Sequence, residues 1–236
     1  MSSFDLIPDP QVRSALEAGA TISMMRAVEK QGIRALAMPR KLAVCHEVGH
    51  AIVFAAEQVP VSCVEIFRVD VMAGRDRQPS PIEQANLKQL GPTWGGFCWA
   101  NGGPFNWGCH EQDDLLKCSL EHISHGIRMQ ISGLAGEAVL YRGELPSASS
   151  IDERAVSQFA AVAAGQISNQ DPQELWTTLY RECVSMIKQN EIVARRLVRA
   201  LGHPVNKIEG DALQAILRKV KRRRREPLVP ESSLPK

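Results

Sequence analysis

Two histidines and a glutamate stand close together in "KLAVCHEVGHAIVFAAEQVP", residues 41–60. Leu42, Cys45, Val48, Ile52 and Ala55 recur at helical spacing, and no proline interrupts the stretch before Pro60. The segment is therefore predicted to be a helix. Four residues advance an α-helix by about 400° and about 6 Å. His46 and His50 then share one face, at a separation that lets two imidazoles converge on one tetrahedral cation at Zn–N distances of about 2.0–2.1 Å. Glu47 is turned by about 100° from His46. It misses the cation but reaches a water held beside it. This is the arrangement of a zinc hydrolase, with Glu47 as the base for the attacking water. Gly49 costs the helix about 1 kcal/mol relative to alanine, which predicts a close approach by another backbone or by a substrate chain. The competing reading is a surface helix on which two histidines and a glutamate meet by chance.

A catalytic zinc site takes three protein ligands and keeps a fourth position open. Asp152, Glu137 and Glu153 are the candidates for the third. Asp152 lies at a predicted loop-to-helix junction, from which a carboxylate can cross to a neighbouring helix. Its plain alternative is an N-cap or a first-turn charge that suits the helix dipole. Glu137, between Gly136 and Ala138 on a predicted helix, can coordinate directly or orient one histidine from behind. The remaining histidines, His110, His122, His125 and His203, read as solvated or core-edge side chains. Cys98, Cys109, His110, Cys118 and His122 match no closed zinc spacing, and the cysteines read as small buried apolar residues. The six cysteines form no CxxC pair, so reduced thiols are expected rather than a disulfide framework.

The elements that must position these groups follow from pattern. Residues 9–37 read as a helix. Pro39 leads into the helix of the histidines. "VSCVEIFRVDV" alternates and is rich in β-branched residues, and so reads as a strand. Residues 74–93 read as a loop. "WGGFCWANGG" reads as a second or edge strand broken by glycines, with Trp94, Phe97 and Trp99 as core or cleft wall. A long helix is predicted from Asp113 to Tyr141, and its Gly133, Ala135 and Gly136 would let it approach the first helix closely. Further helices are predicted after the "SASS" cap region, from Pro172 to about Leu201, and from Gly210 to about Arg225.

Composition excludes several classes. Of the 236 residues, 44% are hydrophobic and 23% charged, with a formal net charge of +2. That is ordinary globular composition, without the overall basicity that draws a chain to nucleic acid or acidic membranes. No apolar run approaches the roughly 18 residues of a membrane span. The N-terminus lacks a basic-then-apolar leader, so a cytoplasmic protein is expected. No GxxxxGK[ST] phosphate loop occurs, so no P-loop ATPase is expected in the chain. The run "KVKRRRR", Lys219–Arg225, reads as a solvated helix end whose cations complement the dipole. Contact with nucleic acid or an acidic partner is its second reading.

Taken in order, these pieces resemble the peptidase domain of the FtsH family of zinc proteases. "HEVGHAIV" resembles the family's HE-x-GH-A motif, Gly49 included. The strand "CVEIFRV" follows as in the family. "SGLAGEAVLYRG" resembles its GG-x-AAE helix, "SASSIDERA" its third-ligand loop, and "NEIVARRLVRALGHPVNKIEGDALQAIL" its closing helices. The resemblance spans roughly residues 38–218. It implies a mainly α, zincin-like peptidase domain with a small sheet beside the HExxH helix. It implies Zn²⁺ held by His46, His50 and an acid, and Glu47 as the catalytic base. Counting from "SAS", the family's aspartate lands on Ile151, and a loop one residue different brings Asp152 into its place. The expected organisation is a helical extension (1–37), the zinc domain (38–218) and a basic, proline-rich tail (219–236). Substrates would be peptides or unfolded segments. The family's ATPase module and membrane anchor are missing from this sequence. The implied assembly is then a homo-oligomer or a complex with a separate ATPase. A domain of this kind that had lost hydrolysis would serve instead as a peptide-binding or regulatory module.

Overall fold

A computed structural model describes residues 39–68, 94–100, 118–142 and 151–223, the side chains of 151–156 and 159 excepted. The predicted helix at 9–37, the loop at 74–93 and the chain after Arg223 lie outside the described residues.

The helix of the histidines, α1 (Arg40–Ala56), is the centre of the molecule. Every residue from Leu42 to Val53 is buried. A helix apolar all round its circumference is a core helix, and the surface-helix reading of HExxH falls on this burial. Three partners surround it. On one side lies the antiparallel sheet of β1 (Val61–Arg68), β2 (Trp94–Ala100) and β3 (Lys207–Glu209), ordered β2-β1-β3. Alternation puts Val64, Ile66 and Ile208 on the buried face. Glu65, Phe97 and Lys207 align across the other face. Arg40 pins the start of α1 to this layer. Its Nη2 donates to the Val205 carbonyl at 2.7 Å and to Asn206 Oδ1 at 3.0 Å. Its guanidinium also lies 5.3 Å from the centre of the Trp94 ring.

The second partner is α2 (Leu120–Leu140). It begins at Leu120 rather than Asp113, because the Ser119 hydroxyl accepts from the His122 N–H and satisfies a first-turn donor. The expected close approach to α1 is present at a pair of facing glycines. A Cβ on Gly49 would sit 2.7 Å from the Gly136 Cα, and one on Gly136 would sit 2.4 Å from the Cys45 carbonyl oxygen. Both are backbone contacts, so neither position admits a side chain without parting the helices. The burden of Gly49 in mid-helix is thus explained by a backbone neighbour.

α3 (Ile151–Ser168) packs on α2 and on α4 (Pro172–Gln189), and α4, α5 (Glu191–Ala200) and α6 (Gly210–Leu217) make the third partner. Trp176 Nε1 donates to Ser157 Oγ at 2.9 Å and joins α4 to α3. Two sequence expectations change here. The helix expected from Pro172 to Leu201 is divided at Asn190, whose side chain donates to the Met186 and Lys221 carbonyls and accepts the Lys221 N–H at 2.6 Å. The last helix stops at Leu217 instead of reaching Arg225. The chain turns back, Val220 packs on the core, and the Arg223 N–H donates to the Ala56 carbonyl at 3.0 Å. The fold is mainly helical with a small sheet. Among the described residues no helix is long and apolar enough to cross a membrane.

Candidate metal centre

The crossing of α1 and α2 brings the predicted residues together. His46 and His50 present their Nε2 atoms to each other at 3.1 Å. Two nitrogens bound at about 2.0–2.1 Å to one tetrahedral ion lie about 3.3 Å apart, so the pair stands close to the spacing that one ion requires. The far side of each ring is held. His46 Nδ1 lies 2.7 Å from Glu137 Oε1. His50 Nδ1 lies 2.7 Å from Ser132 Oγ and 3.1 Å from the Met129 carbonyl, to which Ser132 Oγ itself donates at 2.8 Å. A carboxylate and a carbonyl only accept, so both Nδ1 atoms carry the proton and donate. In the neutral rings both Nε2 lone pairs then point to the same place. Two lone pairs facing each other in a buried site call for a cation or a proton between them, and two imidazole nitrogens are part of the donor set that zinc takes.

The helix–helix contact makes room for this. A Cβ on Gly133 would fall 2.3 Å from the His46 ring. The imidazole therefore lies flat against the backbone of α2. Glu47 points the other way, toward the sheet. A Cβ on Gly96 of β2 would be 2.4 Å from Glu47 Cγ, so Gly96 lets the strand pass directly over the glutamate. Glu47 and His50 line one open cleft of about 320 Å³, whose walls include Phe54, Phe97, Cys98 and Met129. Desolvation, with the Glu47 charge adding to it, pushes the Cys98 thiol well above its ordinary value. Cys98 is thus a neutral wall residue at neutral pH.

Of the third-ligand candidates, Glu137 is 1% exposed and sits behind His46, at the nitrogen remote from His50. It occupies the orienting place rather than the side where the Nε2 atoms converge. Asp152 and Glu153 fall in the first turn of α3, and their side chains lie outside the described residues. Among the described residues no group of three or more His, Cys, Asp and Glu is disposed to hold a metal. Cys109 and His110 also lie outside the described residues.

Sequence reasoning missed Ser132 and the Met129 carbonyl as the hold on His50, and Gly96 as the space for Glu47. Ser132 carried a faint signal, a small polar residue beside Gly133 on the predicted partner helix. The carbonyl carried none, since every residue has one. It also missed a second cluster at the C-terminal end of α1. There Glu57 takes Arg128 Nε at 2.8 Å, Arg223 at 3.2 Å and His125 Nδ1 at 3.3 Å, while Glu182 takes the same two arginines at 3.3 and 3.1 Å. Burial alone would raise the Glu57 carboxyl. The His125 hydrogen bond and the two guanidiniums outweigh it and hold the group at about 2. His125 is therefore a partner in an ion cluster, at the edge of the core.

No known protein-family model matches this chain, and no curated protein matches it.

Proposed function

We propose that the chain is a zinc-dependent, zincin-like endopeptidase that hydrolyses peptide bonds in peptides or unfolded segments. The observation that carries this reading is the convergence of His46 and His50 Nε2 at 3.1 Å, with each ring held from behind and Glu47 in the adjoining cleft. His46 and His50 would hold the metal, with Asp152 or Glu153 as the third ligand. When bound, zinc supplies a Lewis acid that polarises the scissile carbonyl and acidifies a water molecule. Glu47, in the cleft, would be the residue that takes the proton of the attacking water and returns it to the leaving amine. Glu137 and Ser132 keep the two rings in the tautomer that leaves Nε2 available. The walls of the cleft exclude water from one side of the bound chain. The resemblance to FtsH-type peptidases supports the same reading, and peptide substrates that are already unfolded need no attached ATPase.

The cleft also supports a second reading, a module that holds an extended peptide without cutting it. Its ground is the position of β2, which among the described residues is an edge of the sheet, borders the cleft and can pair with an added strand. Glu47→Gln separates the two. The enzyme reading expects zinc content and fold to be unchanged and cleavage of an unfolded casein substrate to fall by at least about 10²-fold. Unchanged cleavage removes Glu47 as the base. Absence of cleavage in the zinc-loaded parent favours the binding module.

A further inference from the structure

The basic run near the C-terminus was read from sequence as the solvated end of a helix. The structure removes that explanation for most of it. α6 ends at Leu217, and from Lys219 to Arg223 the chain is a strap laid across the corner between α4 and α5. Two residues of the run turn inward. Val220 packs against the core, and Arg223 is bound to Glu57 and Glu182. The backbone of Lys221 is clamped by Asn190 through both its N–H, at 2.6 Å, and its carbonyl, at 3.3 Å. Lys219, Lys221 and Arg222 are left exposed on this fixed strap, and Lys188, in the last turn of α4 and two residues before the clamping Asn190, is exposed as well. Among the described residues, Glu57, Glu182 and Glu191 at this corner are already neutralised. Glu57 and Glu182 are tied to Arg128 and Arg223, and Glu191 is tied to Arg195 at 2.6 Å. Among the described residues none of the four outward cations forms an ion pair. The sequence continues with Arg224 and Arg225.

We propose that Lys188, Lys219, Lys221 and Arg222 form a surface that binds the phosphate backbone of nucleic acid without sequence preference. Holding the cations on a clamped strap lowers the ordering cost that a free basic tail would meet on binding. Sequence-independent binding follows from what surrounds them: lysine and arginine meet phosphates, and no aromatic side chain on this strap offers a platform for bases. A face that lies on a membrane pairs its cations with several large apolar residues. This corner offers Ile192, 86% exposed, in place of such a band. The surface is independent of the metal centre and stands or falls separately from it.

The test is a titration of a fluorescein-labelled 20-nucleotide single-stranded DNA with the full chain between 50 and 200 mM KCl. Four phosphate contacts predict a slope of about −3 in log–log form, or about 50-fold weaker binding across that range. The triple variant K219Q/K221Q/R222Q should lose about two units of that slope, with its melting temperature and zinc content unchanged. Should the triple variant fold poorly, K188Q, which lies off the strap, should still lower the slope by about 0.7. The proposal is overturned by no binding at 50 mM KCl, by slopes that the variants leave unchanged, by a tenfold preference among oligonucleotide sequences, or by binding to phosphatidylserine vesicles in place of DNA.

Discussion

Two junctions join α1 to α2, and each is built on a carboxylate paired with a histidine. At one, His46 of α1 meets Glu137 of α2 at 2.7 Å; at the other, Glu57, just past α1, meets His125 of α2 at 3.3 Å. The antiparallel run of the two helices brings both pairs into register, with the roles of the helices exchanged. What differs is how the charge is completed. Around Glu57 the protein supplies its own cations, Arg128 and Arg223, and the cluster closes on itself. Around Glu137 the carboxylate holds a ring whose other nitrogen is aimed at a second imidazole. The Glu57 junction is completed by side chains and serves to clamp the fold. The Glu137 junction, under the proposed function, is the one that a bound cation would complete. A buried carboxylate–histidine contact is thus not by itself a sign of chemistry, and the guanidiniums around Glu57 and the second imidazole beside His46 are what separate the two.

The largest effect should come from opening the closed junction. Arg128 is 2% exposed and serves both Glu57 and Glu182. Arg128→Met leaves a buried carboxylate without its nearest cation and should cost about 3–5 kcal/mol in urea denaturation. The double variant R128M/E57Q should recover part of this, and a loss below about 1 kcal/mol in the single variant would show that the cluster does not clamp the helices.

The facing glycines sharpen the contrast between fold and site. Gly136→Ala drives a Cβ into backbone, so the helices must part, at about 1–3 kcal/mol. Gly133→Ala drives its Cβ into the His46 ring instead, 2.3 Å away, and a ring can turn. Paired urea and zinc titrations should find Gly136→Ala the more damaging to stability, and Gly133→Ala the more selective against zinc binding. The reverse order would break the assignment of His46 to the metal.

Glu137→Gln keeps the shape of the hydrogen bond but removes its charge. Zinc affinity should fall about 10–100-fold, as for other second partners of a ligating histidine. Competition against a chelating dye reads this directly, and an unchanged affinity would leave Glu137 with a packing role alone.

The smallest effect is a pH dependence at the closed junction. Glu57 is held at about 2, below its ordinary 4.5. A depressed folded-state value means that its contribution is complete above the unfolded value and is lost as pH falls from there through about 2. Melting temperature should therefore decline more gently between pH 5 and 2 in Glu57→Gln than in the parent. Parallel acid limbs would mean that other carboxylates control the loss.

The sequence by itself determined the helix of HExxH, the placing of His46 and His50 on one face, the two main strands, and the partner helix with its small residues. These are local properties: periodicity of 3.6 or 2 and the reach of neighbouring side chains decide them. It also showed Gly49 as a position needing a close neighbour, without saying which one. Tertiary structure alone decided the rest. Asn190 breaks a helix that its periodicity would continue, because its amide is taken by Lys221 from a segment 31 residues away. Arg223 leaves a run of like cations to join two buried acids that only the fold brings near. Glu137 faces His46 across 91 residues of chain; its small neighbours marked it as able to coordinate or to orient a histidine, and only the fold decided that it stands behind His46. Spacing along one helix is set by backbone geometry, whereas the partner of a buried polar group is set by which elements the whole core presses together.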